Sequence, residues 1–194
     1  MSERIPLVVH MSDEAGLHVG AGSVLAGLVG AKSYQAAVAR TLLAGPLHTG
    51  DSVTMEWLTD PANGVQIAYS SYHGIHQGAP EAWRAAFHAI ERRYGVALLY
   101  GTRRLGEASC ELLLVDGGAA DPQEANLFKF RCWEHWGLDS LRHSANAEYN
   151  LYMALATPLL AALDVVAAGP ANGEGEQAAL LLAHGWPALP LALA

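Results

Sequence analysis

Asp51-Ser52-Val53-Thr54-Met55-Glu56-Trp57, followed by Asp60-Pro61-Ala62-Asn63-Gly64 and then Val65-Gln66-Ile67-Ala68-Tyr69, is the stretch on which the reading of the fold turns. Val53, Met55 and Trp57 alternate with Ser52, Thr54 and Glu56, which is the period of a half-buried strand. Asp-Pro-Ala-Asn-Gly supplies turn chemistry, and Val65, Ile67 and Tyr69 alternate again. The pattern predicts a β-hairpin with one buried face.

Upstream, Ile5 to Met11 reads as a short buried strand, with Leu7, Val8 and Val9 in a row. Gly16 to Gly30 is too rich in glycine to predict a stable helix, since each glycine costs about 1 kcal/mol relative to alanine. Ser33 to Ala44 is predicted helical, with Tyr34, Val38 and Leu42 on one stripe and Gly45-Pro46 closing it. Downstream, Pro80 can occupy the first turn of a helix reaching Tyr94. Its Trp83, Phe87, Ile90 and Tyr94 recur at core-facing spacings. Val96 to Tyr100 and Ser109 to Val115 then form a second predicted hairpin. Leu127 to Trp133 is predicted as a further strand, with Phe128, Phe130 and Cys132 alternating against Lys129 and Arg131. Asn146 caps a helix to about Ala168, in which Pro158 should produce a kink. Residues 169–175 form a small-residue linker to a short helix over 176–184.

The expected fold is therefore α+β: one domain over 1–194, an antiparallel or mixed sheet built from two hairpins, and helices packed on one face. Its 194 residues suffice for one large core. Hydrophobic residues make up 52% and charged residues only 15%, against about a quarter in ordinary domains. That excludes a disordered chain and suggests that a partner, in the simplest case a second copy, covers apolar surface.

The net charge is −8, and lysine occurs only at Lys32 and Lys129. Without a dense basic stretch, nucleic acid is not an expected ligand. Arg92-Arg93 and Arg103-Arg104 are the only basic clusters. Residues Ala15 to Ala31 carry no charge but hold five glycines, so they fall short of a membrane-spanning helix. No basic-then-apolar leader is visible, and two cysteines, Cys110 and Cys132, make no disulfide framework. A cytoplasmic protein is expected.

Three places invite chemistry. The first is a set of loop histidines drawn from nine in the chain. Tyr72-His73-Gly74-Ile75-His76 places two imidazoles three apart, Cys132-Trp133-Glu134-His135 places a thiol and an imidazole likewise, and His143 follows. His73, His76, Cys132, His135 and His143 together offer a nitrogen and sulfur set for zinc or iron, with Glu134 as general base beside a metal-bound water. Cys132 also reads as a small core hydrophobe in line with Phe128 and Phe130. The second is Gly20-Ala21-Gly22-Ser23-Val24-Leu25, which lacks the third glycine of a dinucleotide loop and so reads better as close packing. The third is the belt Trp133-Glu134-His135-Trp136, a pattern suited to an interface or a pocket wall. No nucleophile elbow is present. The leading expectation is a non-enzymatic acidic binding protein of accessory or antitoxin type, engaging a protein partner or a small molecule. The alternative is a small metal-dependent hydrolase.

Overall fold

A computed structural model describes residues 4–15, 20–168 and 179–194. Among these residues six strands form one mixed sheet in the order β3-β4-β5-β2-β1-β6. They are β1 (Ile5–Ser12), β2 (Val38–Pro46), β3 (Val65–Ser70), β4 (Ala97–Leu105), β5 (Ala108–Asp116) and β6 (Ala179–His184). β5, β2, β1 and β6 run parallel, while β4 is antiparallel to both β5 and β3. The helices are α1 (Gly20–Gly30), α2 (Lys32–Ala37), α3 (Ser52–Thr59), α4 (Glu81–Tyr94), α5 (Pro122–Trp136), α6 (Ala147–Ala167) and α7 (Leu189–Leu193).

The domain is thus a single mixed-sheet domain, and the β4–β5 hairpin, α4 and α6 lie where the sequence places them. Helices cover both faces of the sheet. On one face Leu25 and Val29 of α1 and Leu58 of α3 meet Leu43, Leu99, Leu112 and Leu114. On the other, Phe87 and Ile90 of α4, Leu155 and Leu159 of α6 and Leu191 of α7 meet Leu42, Leu98 and Leu113. α5 packs outside α6 through Phe128 and Cys132 against Met153 and Ala156. Asn146 caps α6 by accepting from the Tyr149 N–H at 3.0 Å, and the helix continues through a buried Pro158. α6 is long and apolar enough to cross a membrane, yet half of its most apolar window is buried inside the domain.

Five local expectations are corrected, the first being Gly20–Gly30, which reads as too glycine-rich for a helix and yet forms α1 with Leu25 and Val29 held on the sheet. Residues 53–57 are helical, not a strand: Asp51 accepts from the Val53 N–H, Thr54 and Leu58 turn inward, and Val53 is 71% exposed. Over eight residues both periods fit, and the Asp51 cap decides for the helix. β3 therefore pairs with β4 rather than with residues 53–57. The helix predicted to Ala44 stops at Ala37, and Val38–Pro46 is a central strand. A parallel strand covered on both faces is apolar throughout and mimics one stripe of a buried helix.

Leu127 to Trp133 lies within α5. Asp121 caps that helix, Pro122 occupies its first turn and Gly137 ends it at φ 66°. Finally, 179–184 forms an edge strand paired to β1 rather than part of a terminal helix. The linker predicted over 169–175 lies outside the described residues.

Candidate functional site

In an open sheet containing parallel strands, ligands collect at the carboxyl ends of the strands, where successive connections leave toward opposite faces. β2 and β5 are neighbours of this kind: the chain leaves β2 toward α3 on one face and leaves β5 toward α5 and α6 on the other. Between them lies an open cleft of about 640 Å³. Its lining includes Leu47, His48, Thr49, Asp51, Thr54, Asp116, Gly117 and Gly118.

Asp13, His48, Thr49 and Asp116 come from the ends of apolar strands, Asp51 and Thr54 from the start of α3, and Tyr152 from α6. Asp13 follows β1, and the His48 ring reaches it with Nε2 3.1 Å from Oδ1. Tyr152, from α6, donates its hydroxyl to the same Asp13 oxygen. The bond to His48 holds the Asp13 carboxyl below its ordinary pKa, reinforced by the Tyr152 hydroxyl. The same bond to Asp13 raises His48 above 6.5. Burial, aided by Asp13, pushes the Tyr152 hydroxyl upward, so it remains a donor at neutral pH. At the end of β5, Asp116 accepts from the Thr49 hydroxyl at 2.6 Å and from the Gly118 N–H at 2.8 Å. Asp51 accepts from the Thr54 hydroxyl at 2.6 Å and from the Val53 N–H. Three carboxylates are therefore fixed in orientation by donors of the chain itself, Asp13 against the His48 imidazole and Asp51 and Asp116 on the cleft wall.

The glycine-rich segment adds a negative group, not an anion site. The Glu14 carboxylate lies against Gly20, the first residue of α1, so a Cβ at Gly20 would collide with it. An acid at a helix N-terminus satisfies the positive end of the helix dipole.

A separate polar chain crosses the helix-covered face of β1. His10, fully buried, has Nδ1 2.9 Å from His184 Nε2 and Nε2 2.8 Å from the Tyr34 hydroxyl, which lies 3.1 Å from the Thr41 hydroxyl. Burial, with His184 adding to it, lowers His10 to about 4.

The residues singled out from sequence are dispersed. His73 sits on the loop after β3 with Nδ1 2.9 Å from the Ser70 hydroxyl, and His76 packs beside the rings of Tyr69 and His88. Cys132 is buried in the α5–α6 seam, His135 packs on Trp136, and His143 packs on Tyr149. Among the described residues, no three His, Cys, Asp or Glu side chains gather to hold a metal ion. The expected convergence of His73, His76, Cys132, His135 and His143 on zinc or iron is therefore not found there. Glu134 is exposed on α5. Burial raises the Cys132 thiol, consistent with an inert core residue. Trp133 and Trp136, in contrast, are exposed.

Sequence reading passed over Asp13, His48, Thr49, Asp116 and Tyr152. A signal was present: Ser12-Asp13, His48-Thr49 and Asp116-Gly117 each follow directly on a buried apolar run. It becomes informative only once those runs are known to be parallel neighbours. No family model matches the chain, and no curated protein matches its sequence.

Proposed function

We propose that the chain binds a neutral, hydroxyl-rich small molecule in the cleft between β2 and β5. The observation that carries this reading is the lining itself. It offers Asp51, Asp116, Thr49, Thr54 and His48, with Asp13 and Tyr152 behind the imidazole, and includes no lysine or arginine. A phosphate or carboxylate ligand would meet the carboxylates of Asp51 and Asp116, with no cation facing it but a His48 imidazole already paired with Asp13. A ligand hydroxyl can instead donate to a remaining lone pair of a carboxylate or of the Thr49 oxygen, and accept from the second ring N–H of His48. The carboxylates are already held by internal donors, so little ordering is required when a ligand arrives. The Asp13–His48 pair also places an oriented imidazole where it can exchange a proton with a bound hydroxyl.

The test is ligand-observed NMR on the whole chain with a panel of neutral monosaccharides and polyols beside their phosphorylated counterparts. A neutral member binds, and Asp13→Asn or Asp116→Asn each weakens it by about tenfold, about 1.4 kcal/mol, as for a lost charge-assisted hydrogen bond. Absence of any neutral ligand, or equal binding of a phosphorylated counterpart, refutes the reading.

A further inference from the structure

We infer that His10 and His184 form an acid-sensitive latch that holds the edge strand β6 on β1. The latch uses no residue of the ligand cleft. Among the described residues β6 joins the sheet through β1 alone, and Leu180 and Leu181 are 43% and 41% exposed. Its last residue is His184, whose Nε2 lies 2.9 Å from His10 Nδ1, with the ring centroids 5.1 Å apart. Gly185 follows at φ 81°, and beyond it Ala188 and Leu191 are set in the core. The tail is therefore anchored past the glycine, and the end of β6 can part from β1 without unseating it.

The chemistry of the pair makes acid the agent that opens it. A bond between two neutral imidazoles uses one hydrogen and one lone pair. A first proton enters on a nitrogen away from the bond and leaves one hydrogen between the rings. A second puts a hydrogen on both facing nitrogens, donor against donor, and sets two cations side by side out of water. The doubly protonated pair has to separate.

Of the two rings, His184 is the one free to move. His10 is fully buried in β1 between β2 and β6. Its Nε2 lies 2.8 Å from the Tyr34 hydroxyl of α2, itself 3.1 Å from the Thr41 hydroxyl of β2. Cys110 of β5 bears on Tyr34 behind them, and Ser12 lies opposite His184 in register. Among the described residues no carboxylate favours a charge on either ring. Burial, and then His184, lower His10 to about 4, and burial lowers His184 as well. Protonation of a histidine pair thus biases one strand contact, the general form of a pH switch.

Amide hydrogen exchange of the whole chain, read by NMR and corrected for its intrinsic pH dependence, tests the latch with and without low urea. Between about pH 7.5 and about pH 5 the amides of 179–184 should lose about tenfold to thirtyfold in protection, as a ring freed toward ordinary titration dictates. At the lower pH their exchange is unmoved by low urea, because a local opening exposes little surface, whereas amides of β4 and β5 respond to it. The acid loss is smaller in His184→Gln, which removes the second cation, and disappears in His10→Gln, which keeps a donor and an acceptor for both neighbours. Exchange of β6 that follows urea as β4 and β5 do means that it parts only with the whole domain, and overturns the inference. No acid loss in the wild type, or a loss undiminished in either variant, overturns it too.

Discussion

Replacing His10 with glutamine removes a measurable share of this domain's sensitivity to acid. In the folded chain, His10 is wholly buried between His184 and Tyr34, and its pKa is lowered to about 4 from 6.5, chiefly by burial. In the unfolded chain it titrates near 6.5. Above that value both states carry a neutral ring, and His10 contributes no pH dependence. Below it the unfolded chain takes up a proton that the folded chain refuses, so stability falls with pH until the folded group titrates near 4. The full shift of about 2.5 pKa units corresponds to about 3.4 kcal/mol. Between about pH 7.5 and about pH 4.5 the loss is about 2.6 kcal/mol, a large share of the net stability of a domain this size.

Gln at position 10 keeps one donor and one acceptor for Tyr34 and His184 but cannot be protonated. Urea unfolding of both proteins at stepped pH reads the contribution of His10 together with that of His184, whose ring bonds to it and is itself lowered by burial; the remaining titrating groups are common to the two. His48, whose folded pKa is raised, contributes stability that is present below 6.5 and lost as pH rises through its higher folded value, a trend of opposite sign. It cancels in the comparison. The expected result is a stability difference between wild type and His10→Gln that closes by about 2 to 3 kcal/mol as pH falls across this window. Parallel curves would refute the reasoning, because they would mean that the folded ring titrates as freely as the unfolded one.

Two further outcomes test the scaffold that presents the cleft. In Gly45→Ala, the added methyl group of β2 is driven onto the Ser12 carbonyl of β1. The melting curve should show a loss of about 1–3 kcal/mol, as for an overpacked core, with displaced amide resonances at Ser12 and Asp13. Asp121→Ala removes the side chain that accepts from the Gln123 N–H at the start of α5. That variant should lose about 1 kcal/mol in denaturant unfolding, while a loss near zero would mean that the cap contributes nothing there.

What the sequence disclosed followed from how much of each signal was local. The α4 stripe of Trp83, Phe87, Ile90 and Tyr94 runs over three turns and is closed by Gly95, so period and cap agree. The β4–β5 hairpin is likewise carried by adjacent residues. The failures lie where tertiary burial supplies the pattern. Leu42, Leu43 and Ala44 are apolar because helices cover both sides of β2, a fact that no window around them contains. In α5, alternating Phe128, Phe130 and Cys132 resemble a strand because one aromatic row faces α6 and another faces outward. There Asp121-Pro122 and Gly137 were the better guide. The cleft was illegible for a related reason. Asp13, His48, Asp116 and Tyr152 are far apart in sequence, and only the strand order β5-β2-β1 brings their loops together.

The first strand of this sheet lies between β2 and β6, and its bond from His10 to His184 spans 174 positions of sequence. A ribosome therefore releases β1 long before it delivers the strand that completes it. Throughout that interval β1 has one open row of amide and carbonyl groups along a strongly apolar segment, Leu7-Val8-Val9, which is a template for unwanted pairing with other chains. The late arrival of Ala179–His184 makes this a slow, high-contact-order closure. The nascent protein is most vulnerable to aggregation just before β6 docks, and chaperone demand during synthesis should be greatest at that point.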